Sequence, residues 1–317
     1  MHYADSFPPL TGVSKSVKSK MGQEAATKDD QAMSGKIPAA SLRSFLHGGT
    51  SSLVSALTTI ATFPLYKTVF RQQLHNTVVR EAVAQLYSEG FRKLYRGVAP
   101  PLLVRTLQGT LLFGVQDTLQ RSASSLGAQH LPRPLLQAAA GVGTGVVEAV
   151  VFTPFERVQN VLQNGKNDTR LPTQWSAVSR LSVEPLSRGF YRALLLITVR
   201  NALGSGLYFG LKNPVRDALD QQGLSPTASS FVSGAVNSLV ISLPLYPLSV
   251  LIANMQAGVG DENSREGMRA CARRLWASRH RSVALLYRGG SLVILRSCVS
   301  WGITTAIYDR LERGSST

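Results

Sequence analysis

Two short motifs recur three times along this chain at a shared spacing, and that recurrence constrains its fold more than any other feature. Tyr-Arg pairs stand at Tyr95-Arg96, Tyr191-Arg192 and Tyr287-Arg288, with 96 residues between successive tyrosines. Each is preceded by an apolar segment that carries a proline and ends in glutamine. These are PLYKTVFRQQ from Pro64, PFERVQNVLQ from Pro154 and PLSVLIANMQ from Pro247. The prolines lie 90 and 93 residues apart, and Gln73, Gln163 and Gln256 each follow their proline by nine positions. Two independent motifs with one threefold period indicate three copies of a single unit, the drift being absorbed by loops.

Every unit reads the same way: a long apolar segment with a proline, a polar stretch, the Tyr-Arg turn and a second apolar segment. The first segments run over 42–72, 134–163 and 228–256, the second over 98–121, 194–216 and 290–312. A membrane helix needs about 20 residues, and all six reach that length. Small-residue clusters in the first segments (Gly48-Gly49; Gly141, Gly143 and Gly145; Gly234-Ala235) suit close helix approach in lipid. Pro64, Pro154 and Pro247 are expected to kink their helices. The expected fold is an all-α membrane protein of six transmembrane helices in three two-helix repeats. Its divisions are a disordered tail over 1–40 and repeats over 41–131, 132–226 and 227–317. The alternative, a soluble helical solenoid, uses repeats of about 20–50 residues and seldom keeps its helices this apolar.

Charge adds a partner question. Basic residues number 34 against 18 acidic, a formal +16, while charged residues make up only 16% of the chain. Nucleic acid, an anionic membrane surface and an anionic solute all suit that balance. The basic run RACARRLWASRHR from Arg269 reads most plainly as one membrane face or a loop near anionic lipid such as cardiolipin. Nucleic-acid recognition needs a soluble fold to display such residues and is not expected. Cys271 and Cys298 form no disulfide framework, the five histidines are scattered, and neither a metal site nor a cofactor is expected. The glycine-rich run GVGTGVVEA from Gly141 lacks a preceding strand and lies in an apolar segment, so it reads as helix packing, not a phosphate cradle. No catalytic constellation recurs near the repeats, and no enzyme activity is expected.

These motifs resemble the mitochondrial carrier family, solute carrier family 25, across roughly residues 41–313. The step EGFRKLYRG from Glu89 is intact, and the other repeats keep it in part. FRQQL after Pro64, FERVQ after Pro154 and LYRGGSLVILRSCVSWGITTAIYD from Leu286 resemble the subgroup that includes the mitochondrial NAD carrier. The resemblance implies a pseudo-threefold bundle in the mitochondrial inner membrane, with a short matrix-side helix in each repeat. It also implies a matrix gate at Glu156 and Gln159, braced by Gln73, Gln163 and Gln256. The family's acid and base positions here hold Tyr66 and Val69, Glu156 and Gln159, and Ser249 and Ile252: one acid survives and no base. At the opposite end the matching positions are Asp117 with Gln120, Asn213 with Arg216 and Asp309 with Glu312, so at most one pair between helices, such as Arg216 with Asp309, is expected.

Ionisable residues at mid-membrane cost about 2.5–3.5 kcal/mol each on insertion scales and usually face a cavity. Arg105, Arg200 and Arg296 lie 95 and 96 residues apart, each nine or ten residues after its tyrosine. That is roughly 13–15 Å along a helix, about half the hydrocarbon thickness. The family's barrel implies that they meet around one site, and the Arg200-Asn201 pair resembles a contact point of several carriers. Glu148, roughly 9 Å before the Pro154 kink, either binds solute or neutralises an arginine. Asn237 either faces the cavity or makes a packing hydrogen bond. Guanidinium forks suit phosphate or carboxylate. The expected function is transport of a small anionic metabolite, with NAD the first guess. A smaller carboxylate or oxoacid, or a transport-deficient scaffold, are the alternatives. A three-repeat bundle suffices in principle as a monomer.

Overall fold

The computed structural model describes residues 39–125, 132–260 and 265–315, and among these the regular structure is helical, without strands. The tail over 1–40 falls outside the described residues, apart from Ala39 and Ala40, which open the first helix. The first repeat holds α1 (Ala39–His75), α2 (Val79–Glu89), α3 (Phe91–Leu94) and α4 (Ala99–Ser125). The second holds α5 (Arg133–Gln163), α6 (Gln174–Ser182) and α7 (Leu194–Gln221). The third holds α8 (Pro226–Ser242), α9 (Tyr246–Gln256), α10 (Met268–Ser278), α11 (Val283–Leu286) and α12 (Gly290–Ser315).

The long segments pack in chain order and the ring closes. α1 lies against α4, α4 against α5, α5 against α7, α7 against α8, α8 against α12, and α12 returns to α1. Each repeat has a helix of 9 to 11 residues (α2, α6 or α10) between its long segments. Each buries a pair one turn apart: Ala82 and Leu86 on α2, Ala177 and Leu181 on α6, Cys271 and Leu275 on α10. The spacing of four places each pair on a single face. Leu181 thereby packs with Val158, Val161 and Leu162 near the end of α5, and Leu275 with Val69, Val250 and Val293 of α1, α9 and α12. Sequence periodicity thus becomes a pin that fixes where the long helices end.

The Tyr-Arg steps have a conformational cause. The residue after each arginine has positive φ: +84° at Gly97, +64° at Ala193 and +101° at Gly289. A chain that must turn sharply into the next long helix favours glycine there, because an L side chain resists the left-handed region.

The three prolines do not behave alike. Pro64 and Pro154 lie inside unbroken helices. The third odd segment is broken instead of kinked at Pro247: α8 and α9 meet at 65° across residues 243–245. Pro244 stands in that gap, and Pro247 occupies the first turn of α9, where the missing N–H has no partner to lose.

Polarity is inverted relative to a water-soluble bundle. Leu103, Leu195 and Leu203 expose 54%, 67% and 48% of their surface, while Glu148, Arg200 and Arg296 are buried. An apolar outside around a charged inside suits lipid around a polar path. By length and composition, α5, α7 and the stretch Val283–Ser300 can each cross a membrane, and α8 with α9 makes a fourth if the bent pair is one span.

Candidate functional site

Arg200 sits in the second turn of α7, directed inward against α5. Its two terminal nitrogens donate to the two carboxylate oxygens of Glu156, each at 2.8 Å. Its Nε and one terminal nitrogen also donate to Asn201 Oδ1, at 3.1 and 3.0 Å. Asn201 therefore holds the guanidinium in place. Glu156, a matrix-gate position by the family resemblance, here joins a helix of its own repeat. Helix contact makes this possible. Gly141 lies where an added Cβ would stand 2.6 Å from the Ser205 carbonyl oxygen, and Gly145 is pressed equally hard on the Asn201 backbone. The glycine run of α5 is the close-approach seam expected from its composition.

Arg296 is also buried, with its guanidinium 5.9 Å from the centre of the Tyr66 ring. Tyr66 lies within electrostatic reach of Glu156, Arg296, Arg200 and Arg105. Arg296 thus stands over Tyr66 and Arg200 in the wall of the same void, while Arg105 is only half-buried and is the weakest of the three charges felt there. The sequence reading missed Tyr66 as a site residue. Its signal was an aromatic side chain at a position where the family carries an acid. Glu148 accepts from Gln108 Nε2 at 3.1 Å and from Ser205 Oγ at 3.5 Å. Gln108, a buried amide three residues after Arg105, was equally missed. Asn237 is buried, and its Oδ1 finds no hydrogen-bond donor among the described residues.

Two narrow voids flank the Arg200–Glu156 pair. One is lined by Tyr66, Gln73, Asn160 and Ser249. The other is lined by Gln108, Glu148, Phe152, Gln159 and Asn201. Both have Glu156 and Arg200 in their walls.

At the end carrying the short helices, the repeats are tied by arginine and amide groups that donate to backbone carbonyls. The Tyr-Arg arginines do this in rotation. Arg96 reaches the Leu171 carbonyl and Asp168 of the second repeat. Arg192 reaches the Met255 carbonyl of the third at 2.6 Å, and Arg288 the Asn76 carbonyl of the first at 2.5 Å. Arg279 adds the Gln72 and Gln73 carbonyls, at 3.2 and 2.7 Å. Arg157 adds those of Gln256 and Gly258. Burial pulls the Arg192 and Arg279 guanidinium groups below their usual range. Within the first repeat, Arg71 forks onto Glu89 at 2.7 and 2.9 Å. Burial alone raises the Glu89 carboxyl, but that fork holds it below the usual carboxylate range.

The glutamines expected as braces differ from one another. Gln256 accepts from Asn160 Nδ2 at 2.7 Å and donates to the Arg192 carbonyl at 2.9 Å, linking the second and third repeats. Gln73 is buried and contributes its carbonyl, which accepts from Asn254 Nδ2 at 3.0 Å. Gln163 is buried, yet neither polar atom of its side chain finds a partner among the described residues, and the same holds for Gln159 Nε2. At the opposite end Arg216 pairs with Asp220 on its own helix at 3.6 Å, and Asn213 donates to Gln137 at 3.2 Å. The side chains of Asp309 and Glu312, which the expected pair across that end would use, lie outside the described residues.

Comparison with known proteins bears on what this arrangement is for. Human solute carrier family 25 member 53 is 49% identical over 272 residues, which cover 84% of this chain and 86% of that protein. A human mitochondrial nicotinamide adenine dinucleotide transporter is 34% identical over 260 residues, 79% of this chain and 83% of its own length. A mitochondrial arginine transporter of Arabidopsis thaliana is 29% identical over 278 residues, 84% of this chain and 89% of its own. The family described as mitochondrial carrier protein matches three times in succession, over residues 38–125, 132–223 and 224–316. With three repeats in a closed ring and three family matches laid end to end, the chain belongs to the mitochondrial carrier family.

Proposed function

We propose that this protein is a solute carrier of the mitochondrial inner membrane that moves an anionic metabolite by alternating access, its cargo being NAD or a related nucleotide. In this reading all six long segments span the bilayer, a single bundle works as a monomer, and anionic lipid such as cardiolipin surrounds it. The observation that carries the reading is the placement of Arg296 and Arg200 beside Tyr66, with the repeat-equivalent Arg105 in electrostatic reach, in the polar interior of a bundle whose outer face is apolar. Guanidinium forks bind phosphate oxygens in pairs, and a pyrophosphate offers several such pairs to more than one arginine. Glu148 and Glu156 supply the opposite sign beside Arg200, which suits a cationic ring at the other end of the same solute. The similarity to nicotinamide adenine dinucleotide transporters supports the same cargo.

A second reading, transport of a smaller carboxylate, is favoured by one observation: the Arg200 fork already holds a carboxylate, that of Glu156, in two-point geometry. Uptake of labelled NAD into liposomes carrying the purified protein separates the two. Saturable NAD uptake, lost on changing Arg200 or Arg296 to Ala with membrane insertion intact, is the expected result. Rapid uptake of an oxoacid with none of any nucleotide transfers the assignment to the second reading. Transport of nothing at all leaves a scaffold derived from a carrier.

A further inference from the structure

Glu156 is the one acid retained among the three gate positions, and its bond to Arg200 ties it to no other repeat. It satisfies the same guanidinium that the proposed function assigns to the cargo, with the two-point geometry a phosphate would adopt. The pair also stands in the wall common to both voids. On one side lie Tyr66, Gln73, Asn160 and Ser249 of the closed end; on the other lie Gln108, Glu148 and Gln159.

We infer that Glu156 is a resident stand-in for the anionic group of the cargo: it fills the Arg200 fork in the unloaded carrier and is displaced when the cargo's phosphate or carboxylate takes its place. This rests on the assignment of Arg200 to cargo binding. The released carboxylate has a partner within reach. Gln159 lies three residues further along α5, so its side chain neighbours that of Glu156. It is 2% exposed, lines the second void, and its Nε2 has no acceptor among the described residues. Movement of Glu156 from Arg200 to Gln159 satisfies both groups and opens the wall between the voids. Loading and unsealing then become one event, through a single guanidinium that cannot serve both anions at once. A carrier lacking inter-repeat ion pairs at its gate positions thereby keeps a reason to stay closed while empty.

The test uses purified full-length protein with inorganic pyrophosphate as the binding probe, followed by titration calorimetry, and labelled NAD for uptake. Glu156→Gln removes the competitor's charge, and pyrophosphate binding is expected to tighten about tenfold, with a lower KM for uptake. Asp217→Asn removes an exposed carboxylate from α7, outside both voids and without touching the fork, and a change of less than about threefold is expected. Gln159→Leu removes the landing partner, so binding weakens about tenfold while the unloaded protein melts no earlier than wild type. Unchanged or weaker binding in Glu156→Gln overturns the inference. So does an equal gain in Asp217→Asn, which would reduce the effect to net charge, and so does unaltered binding in Gln159→Leu. The two claims fail separately. Absent NAD uptake with the pyrophosphate pattern intact removes the NAD assignment alone. NAD uptake with an unaltered KM in Glu156→Gln removes the stand-in alone.

Discussion

Arg296 holds its guanidinium 5.9 Å from the centre of the Tyr66 ring, so a residue at an eroded gate position supports an arginine of the proposed binding site. A desolvated cation over an aromatic face gains about 2 kcal/mol. Tyr66→Phe keeps the ring face and should transport within about twofold of wild type. Tyr66→Leu removes it and should lower kcat/KM about thirtyfold, since each ~1.4 kcal/mol is one decade. Initial uptake rates in liposomes decide this, and equal behaviour of the two variants would deny the ring its role.

The brace glutamines give a contrast that repeat symmetry alone does not predict. Gln256 is wholly buried and bonded to Asn160 and to the Arg192 carbonyl. Gln256→Leu leaves both groups unpaired, at about 1–3 kcal/mol each, and should lower the melting temperature by several degrees. Gln163 is just as inaccessible, but its side-chain polar atoms lack partners among the described residues. Gln163→Leu relieves that burial and should leave melting unchanged or raise it. Differential scanning fluorimetry of the detergent-solubilised proteins reads both.

What the sequence disclosed and what it withheld divide along physical lines. The Tyr-Arg steps and the glycines of α5 act on the backbone where they stand, so their positions alone mark where helices end or touch. The break before α9 was legible too, in Pro244 standing three residues ahead of Pro247, but the repeat pattern drew attention to the second proline. The burial of Arg200 and Arg296 followed from their equal spacing and the family's ring, whereas the equivalent Arg105 is only half-buried. The partner of Arg200 did not, because Glu156 lies 44 residues away and meets it only through the rotation of two packed helices. The ties at the closed end were invisible for another reason. Arg279, Arg157 and Asn254 donate to backbone carbonyls, and every residue has one, so the acceptor leaves no mark in the sequence.

The Arg71–Glu89 fork makes stability depend on pH. The folded-state carboxyl titrates below its unfolded value, so its contribution is complete above the unfolded pKa of about 4.3 and is lost as pH falls through the lower folded value. Wild type should therefore melt above Glu89→Gln at pH 7, and the gap should close as the buffer is taken into the acid range. A gap that persists undiminished at the lowest accessible pH would show that the charge of Glu89 contributes nothing.

Ala193 occupies the left-handed region at φ +64°, where the equivalent turns have Gly97 and Gly289. An L side chain there costs about 1–2 kcal/mol. Ala193→Gly relieves that strain although it loosens the unfolded chain slightly. A rise of a few degrees in melting temperature is expected, with uptake kinetics unchanged because the turn lies two helical turns before Arg200. Reduced stability would show that the Ala193 methyl group makes packing contacts worth more than the strain.

The seam between α5 and α7 sets the position of Arg200 and Glu156, and its glycines test whether that position matters to transport. An alanine Cβ at Gly145 would collide with the Asn201 backbone, and one at Gly141 would stand 2.6 Å from the Ser205 carbonyl oxygen. Neither obstacle is the flexible end of a side chain, so the helices must separate. Displacement of α7 then moves Arg200 away from Glu156, and a buried fork tolerates little loss of geometry. Gly145→Ala should both destabilise the protein and depress uptake. Gly114, on α4, has nothing within 4 Å of an added Cβ and serves as the control. Gly114→Ala should leave uptake intact and add slightly to helix stability, since alanine is favoured over glycine by about 1 kcal/mol in a helix interior. Equal uptake by the two variants would mean that the α5–α7 contact holds the bundle together without setting the geometry of its arginine.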